Sequence, residues 1–426
     1  MKKVCVLTTF DSADPSYSLN LVCEDQLKML LLGGYKPVVI VNDGFTPVGV
    51  YADERVIIEK AKKATSSNQG ILPTTWKDEV VVLAKQYKEI FEKHKVDVVI
   101  THDLIAQPAA LVNNMAGREV AKEMPEISWR HFIHSVFSSN VESNILEVSR
   151  AGREKWPTKF KLVFPNSYDK SRVARNFHVE ELDVIHVPHP SDVLALFDFE
   201  PELRKIIEDN HVLDKEVVMV LPARLDRGKQ VHMNVEAAAA IKRQGTSVAF
   251  ICVDFSSTGG DKVTYRREMR ELAAEKGLDE TDVIFLSEQS EKYRYSGTKK
   301  TVGNLFSISN IFMLASKSET YSLVTQEAGL AGNFLILNWD FLPTRSVFGD
   351  TPKYFKFSSN IDILSGMDGS SDTNYGDRDA YFDDIGRYVR HMIKYDPVLS
   401  MKTKLRTTRS LQAVWRNYFE PMLYSD

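Results

Sequence analysis

The chain has 426 residues, which at about 150 residues per domain predicts two to three domains. Hydrophobic residues make up 43% and charged residues 26%, a globular balance that excludes a disordered chain, a fibre and a low-complexity array. With 54 Lys and Arg against 58 Asp and Glu the net charge is −4, so the chain as a whole is not built around a polyanion, and nucleic-acid contact would need a local patch. Cys5, Cys23 and Cys252 form no CxxC pair, which excludes a zinc knuckle and a thioredoxin-type motif and fits a reducing compartment. The first apolar run stops at Thr8 and Thr9, too short for the core of a signal peptide. No stretch reaches the roughly 18 uncharged apolar residues of a membrane span. The expectation is a soluble, cytoplasmic protein.

In chain order, short apolar runs alternate with amphipathic segments. Residues 4–7 predict a strand and residues 21–32 a helix ended by Gly33 and Gly34. Residues 37–41 predict a strand, 80–94 a helix, 97–100 a strand ending at Thr101-His102-Asp103, and 129–134, 161–164 and 183–187 three more strands. A second series starts at Glu216: strand 217–221, helix 229–243 with four consecutive alanines, strand 247–253, helix 265–276, strand 283–286, helix 304–309, strand 311–315, helix 325–331 and strand 334–337. The last predicted element is a helix over 410–420, stopped by Pro421, and residues 365–377 read as a loop or insertion. Runs apolar on both faces, alternating with helices, indicate α/β folding with parallel sheets covered on both sides. Pro188-His189-Pro190 marks the join between the two series.

Ligands of open parallel sheets bind beyond the carboxyl ends of the strands, so those ends hold the candidate site. After strand 311–315 come Glu319 and Glu327, the first in a loop and the second expected in the first turn of the next helix. There the helix dipole stabilises a carboxylate, and such acids can accept hydrogen bonds from sugar hydroxyls. Read alone, they are equally a capped helix with two solvated acids. After strand 217–221 stands Pro222-Ala223-Arg224-Leu225-Asp226-Arg227-Gly228-Lys229. Arg224 offers a planar fork and Lys229 a point charge, both suited to phosphate oxygens, with Gly228 expected to supply the tight turn. Alone, this reads first as a polar loop with its cations in water.

Taken together and in this order, Arg224-Leu225 with Lys229, then Glu319 and Glu327-Ala328, then Gly332, the second series resembles the retaining nucleotide-sugar glycosyltransferases of family four. The resemblance extends through Leu342-Pro343 to Phe348-Gly349-Asp350, and covers the first series only in outline. It implies a GT-B fold, two Rossmann-like doubly wound domains facing a cleft: an acceptor domain over 1–193, a donor domain over 194–400, and a C-terminal helical segment, 401–426, packing on the first. It implies transfer of a sugar from a nucleotide diphosphate, a UDP-sugar, with retention of configuration, and no required cofactor or metal.

By position, the resemblance puts Arg224 and Lys229 on the donor diphosphate, Glu327 on the ribose and Glu319 on the donor sugar. The backbone of Thr320, Tyr321, Ser322 and Leu323 would lie against sugar and phosphate, although side chains stand here where the family often has Gly-Phe-Gly. In the first series His134 takes the place of the family's histidine beside the donor sugar, and Glu24 that of an acidic residue. Ser16 and Ser18 stand where the family has a glycine-rich loop. His102, Asp103 and Ser16 are candidates for the acceptor side. The acceptor itself, whether glycan, lipid, small molecule or modified DNA, is not readable.

One local feature keeps a polyanion open. Arg150, Arg153, Lys155, Lys159, Lys161, Lys170, Arg172 and Arg175 face only Glu154 and Asp169 within residues 150–175. This is either a solvated basic face or a contact for an anionic surface, as in bacteriophage enzymes that glycosylate hydroxymethylated bases in DNA. A nucleotide-sugar epimerase and a non-catalytic sugar-nucleotide binder remain alternatives.

Overall fold

The computed structural model describes residues 1–64, 72, 74–105, 107–134, 151–152, 154–254, 262–294, 297–317, 322–357, 359–360, 370–371 and 375–425. They form two units, Met1–Ser191 with Leu411–Asp426, and Asp192–Ser410.

In the first unit, β1 (Val4–Leu7), β2 (Val38–Asn42), β3 (Ile57–Ala61), β4 (Val98–His102), β5 (Ser128–Phe132), β6 (Phe160–Phe164) and β7 (Val184–His186) build one sheet. Its order is β3-β2-β1-β4-β5-β6-β7 and every pairing is parallel. Successive side chains of a strand point to opposite faces, and β1 shows the consequence. Cys5 and Leu7 enter one core with Leu83, Tyr87 and Phe91 of helix Trp76–His94 and Val112, Ala116 and Val120 of helix Leu111–Glu123. Val4 and Val6 enter the other, with Cys23, Leu27 and Leu30 of helix Ser18–Leu32. Both faces are covered, which is why the central strands carry no polar alternation.

The chain end completes the second face. Leu411, Val414, Trp415 and Phe419 are buried there, and the fully buried Arg130 of β5 donates to the carbonyls of Met422 (2.8 Å) and Ser425. Tyr35 and Tyr424 share a hydroxyl hydrogen bond of 2.9 Å. Residues 410–420 are not the single helix the sequence predicts. Leu411–Val414 is followed by a π-helical turn, Trp415–Phe419, and then by Glu420–Tyr424. Pro421 follows directly on the π-helical turn and lies within the helical path, so it does not end the segment.

In the second unit, β8 (Val217–Pro222), β9 (Val248–Val253), β10 (Val283–Phe285), β11 (Ile311–Leu314), β12 (Phe334–Asn338) and β13 (Lys353–Phe355) form a parallel sheet in the order β10-β9-β8-β11-β12-β13. Ala237 to Ala240 of helix Val231–Arg243 are all buried. Gly386 of helix Arg378–Tyr395 lies directly against that run: a Cβ on it would stand 2.8 Å from the backbone carbonyl of Ala240. That helix is not foreseen from sequence, although it begins with an aspartate cap, Asp377; Pro397–Arg409, capped by Asp396, takes up the start of the helical segment expected over 401–426 and belongs to the second unit. Each unit is therefore a Rossmann-like α/β layer structure.

Two local starts differ from expectation. The turn after β8 is made by Gln230 (φ 50°), not Gly228, and the helix begins at Val231, not Lys229. Ser322 takes φ 65° and starts helix Leu323–Leu330. Glu327 is then the fifth helical residue and sits beyond the first turn, where the dipole acts less strongly on it.

Candidate functional site

Strand order decides where each sheet can open. In the second unit the chain runs outward from β8 through β9 to β10, then returns to the other side of β8 with β11. The loops after β8 and β11 therefore leave the sheet side by side and in opposite senses, the usual crevice of an open α/β sheet. A cavity of about 490 Å³ lies at the corresponding β1/β4 switch of the first unit, and one of about 690 Å³ at the β8/β11 switch of the second.

The β8/β11 cavity is walled by both loops and by the start of helix Lys299–Ile308. It gathers Arg224 and Lys229 after β8, Ser322, Leu323 and Glu327 after β11, and Thr298 with Lys299. The post-β8 loop is folded on itself. Asp226 Oδ1 accepts from the Lys229 amide at 3.1 Å, and Asp226 N donates to the Arg224 carbonyl at 2.9 Å. The Lys317 amide donates to the Gly228 carbonyl at 2.9 Å, and the Gln230 side chain donates to the Ala315 carbonyl. These two bonds fix one loop against the other, so residues from two segments far apart in sequence share one wall. Ser322 and Thr325 share a hydroxyl hydrogen bond of 2.7 Å that steadies the left-handed residue at the helix start. Asn338 of β12 supports the same region, donating to the Ser316 carbonyl at 3.2 Å.

Three cationic side chains and one carboxylate line this cavity. Arg224 is largely exposed, and Asp226 is its nearby acid at 3.8 Å. Such a surface offers charge-assisted donors to an anion carrying more than one negative charge, with a carboxylate alongside for hydroxyl groups. Lys299 and Thr298 are functional candidates that the sequence reading missed. The signal available was the Thr298 cap, whose side chain accepts from Thr301 N at 3.1 Å, ahead of a helix that points its amide end at the cavity. Glu319, Thr320 and Tyr321 lie outside the described residues.

The first unit's cavity is lined by Thr9 and Asp11 after β1, Tyr17, Asn42 and Lys63, and His102 and Asp103 at the end of β4. Asp11 pairs with Lys63 at 2.5 Å, and burial opposed by this lysine and Asn42 leaves its carboxyl below the usual range. Asp103 holds a left-handed backbone (φ 50°), bound through its amide to the Phe132 carbonyl (2.8 Å) and through Oδ1 to the His134 amide (2.7 Å). An aspartate adopts that conformation more readily than most residues, and these two hydrogen bonds hold it there.

Behind it three imidazoles stand in a row. His102 Nδ1 is 2.9 Å from His134 Nε2, and His134 Nδ1 is 3.4 Å from His189 Nε2. Burial keeps His134 mostly neutral, its pKa lowered to about 4 with Asp103 opposing and His189 assisting that shift. Burial lowers His102 and His189 as well. The sequence reading put His134 beside the donor sugar and His102 on the acceptor side, and did not foresee that the two rings form one row with His189.

Ser16 is turned away to Asp14, its amide and hydroxyl both donating to Oδ1 at 2.8 and 2.7 Å, and the neighbouring Tyr17 lines the cavity in its place. Glu24 accepts from Asn20 at 3.0 Å. Of the basic run, Arg150 and Arg153 lie outside the described residues. Lys155 and Lys161 share Asp183 at 3.9 and 3.6 Å, and Arg172 meets Asp169 at 3.2 Å. Among the described residues no group of three or more His, Cys, Asp or Glu could hold a metal ion, and no helix is long and apolar enough to cross a membrane.

No family model and no curated protein matches the chain. Among solved structures, a glycosyltransferase from Rickettsia africae is similar over 100% of both chains at 16% identity, with a TM-score of 0.37. Anabaena HepE in complex with UDP and glucose is similar over 100% of both chains at 12% identity, with a TM-score of 0.36. A sucrose-phosphate synthase from Thermosynechococcus elongatus is similar over 99% of this chain and 96% of its own at 15% identity, with a TM-score of 0.35.

Proposed function

We propose that this protein is a glycosyltransferase that moves a sugar from a UDP-sugar to an acceptor hydroxyl with retention at the anomeric carbon. One observation carries the reading: Arg224, Lys229 and Glu327, singled out by their order in the sequence, line a single cavity at the strand-order switch of the second unit. Three of the residues expected to meet one ligand thus share one wall, which separate solvated loops would not need to do.

In this reading the guanidinium of Arg224 and the ammonium of Lys229 hold the diphosphate. They stabilise the charge that grows on it as the sugar–oxygen bond breaks, an interaction stronger in the transition state than in the ground state. Lys299 adds a third cation to the same wall. Glu327 accepts from the ribose hydroxyls, and Glu319 contacts the donor sugar. No metal is required where three side-chain cations already meet the leaving group.

The test is thermal unfolding in the presence of UDP-, GDP- and ADP-sugars. A ligand at a hundred times its Kd stabilises the folded state by about 2.7 kcal/mol. A UDP-sugar should raise the midpoint of the wild type, and Lys229→Ala and Glu327→Gln should each lose most of that rise while melting near the wild-type temperature without ligand. Loss of a hydrogen bond to a charged group, about 1.5–3 kcal/mol, corresponds to a roughly 10- to 150-fold weaker Kd. An unchanged midpoint with every nucleotide-sugar at millimolar concentration refutes the assignment. Donor incubated alone separates the alternatives: rapid release of free sugar indicates an epimerase, and binding with no turnover under any acceptor indicates a binder.

A further inference from the structure

His102 is 9% exposed and contributes to the wall of the 490 Å³ cavity, yet its Nε2 has no hydrogen-bond partner among the described residues. An unpartnered buried ring nitrogen is costly and calls for a cause. Its other nitrogen begins the row already described, through His134 to His189, with near-parallel rings at interplanar angles of 14° and 21°. The nitrogens face one another in sequence instead of converging on a common centre, so the row is a chain of hydrogen bonds and not a metal cage.

Such a chain has two complete states. A neutral imidazole carries one N–H and one bare nitrogen. If His134 Nε2–H donates to His102 Nδ1, then His102 must carry its proton on Nε2, and His134 Nδ1 must accept from His189 Nε2–H. If His102 Nδ1–H donates instead, His134 Nδ1–H donates to His189 Nε2, and His189 carries Nδ1–H. All three rings are therefore Nε2–H together or Nδ1–H together, and any mixed arrangement sets two lone pairs or two protons against each other.

We propose that His102, His134 and His189 form a proton relay that carries a proton between a hydroxyl bound in the first unit's cavity, at His102 Nε2, and the far nitrogen of His189. In the forward step the hydroxyl oxygen bonds an electrophilic carbon of a co-substrate, whose leaving group departs with the old bond's electron pair; the O–H bond breaks as the new C–O bond forms, and the proton joins His102 Nε2. The His102 Nδ1 proton passes to His134 Nε2, the His134 Nδ1 proton passes to His189 Nε2, and the proton on His189 Nδ1 leaves to solvent. One proton enters, one leaves, and no ring becomes charged at the end. His189 keeps partial exposure, as an exit requires. Return of the cavity to water resets the chain by the reverse path. Asp103 is the carboxylate at the row, on the His134 amide, and Asp11 and Lys63 face the cavity as a pair. The fit is to a neutral polyol, and the proposal stands on the first unit alone, independent of the donor reading.

The test is nitrogen-15 NMR of the full chain labelled at histidine, at neutral pH. The three rings should be neutral, report one common tautomer ratio, and show nitrogen–nitrogen coupling across both hydrogen bonds. His189→Phe, which keeps a stacked ring and removes its nitrogens, should change the tautomer ratio at His102. Molar D-glucose, as the hydroxyl probe, should move all three rings toward Nδ1–H together. Opposite tautomers in adjacent rings, a charged ring, absent coupling, a His102 ratio indifferent to His189→Phe, or a glucose response confined to His102 or missing would each overturn the relay. If the variant does not fold, the coupling and tautomer measurements on the wild type decide.

Discussion

Gly386→Ala probes a close helix contact of the second unit. An alanine Cβ there would stand 2.8 Å from the carbonyl carbon and oxygen of Ala240 and 3.1 Å from Gln244 Cγ, where ordinary contact starts at 3.4 Å. Gln244 can rotate away, but the Ala240 backbone can yield only if helices Arg378–Tyr395 and Val231–Arg243 move apart. Overpacking of this kind costs about 1–3 kcal/mol. Alanine favours the helix interior by about 1 kcal/mol over glycine, so the net effect is a loss of about 1–2 kcal/mol, read toward the upper part of the range because backbone opposes the methyl. For a unit of this size that is a fall in Tm of roughly 2–8 °C. Gly303 supplies the control. It lies in helix Lys299–Ile308 with nothing within 4 Å of a built Cβ, so Gly303→Ala gains the propensity alone, a rise of about 2–4 °C. Scanning calorimetry on both variants reads the difference. If Gly386→Ala gains as much as Gly303→Ala, the close approach of the two helices does not constrain the unit, and the reasoning fails.

Three further outcomes are expected. The three histidines of the row have pKa values lowered in the fold, His134 to about 4 from 6.5, so the unfolded chain binds protons first: the stability they allow is present above pH 6.5 and is lost as pH falls toward 4. The urea midpoint should drop over that window, and His134→Phe should flatten the drop, whereas an unchanged slope would show that these rings are not held neutral. Arg130→Met leaves the Met422 and Ser425 carbonyls without their buried donor. The loss of about 1.5–3 kcal/mol per charged hydrogen bond should expose residues 411–425 to limited proteolysis before the rest of the first unit. Lys95 ends helix Trp76–His94 in a left-handed conformation (φ 52°) and is exposed; Lys95→Gly should stabilise by about 1 kcal/mol, and a lower Tm would refute that account.

The two sheets were legible as alternating apolar runs because strands covered on both faces lose their polar residues. The order of strands in each sheet was not legible, since pairing depends on contacts far apart in the chain. Helix Arg378–Tyr395 was not legible because its capping aspartate is a weak signal without a packing partner in view. At the site, the residue types Arg224, Lys229 and Glu327 pointed to an anion with hydroxyl groups. Lys299, in a polar stretch after Gly297, carried no such mark, because its place beside them is set by where helix Lys299–Ile308 meets the sheet.

The sequence alone determined that the chain is α/β, that its charge is balanced, and that chemistry-bearing side chains follow β4, β5, β8 and β11. It could do so because periodicity and residue type act within a few residues. Tertiary structure decided what stands beside what. The β8/β11 and β1/β4 switches open the two cavities, Gln230 and Ser322 rather than glycines make the turns, and His189 joins His134 and His102 although they are far apart in the chain. Each of these is settled by the packing of distant segments, where a hydrogen bond or a steric contact outweighs the local preference of the residue that makes it.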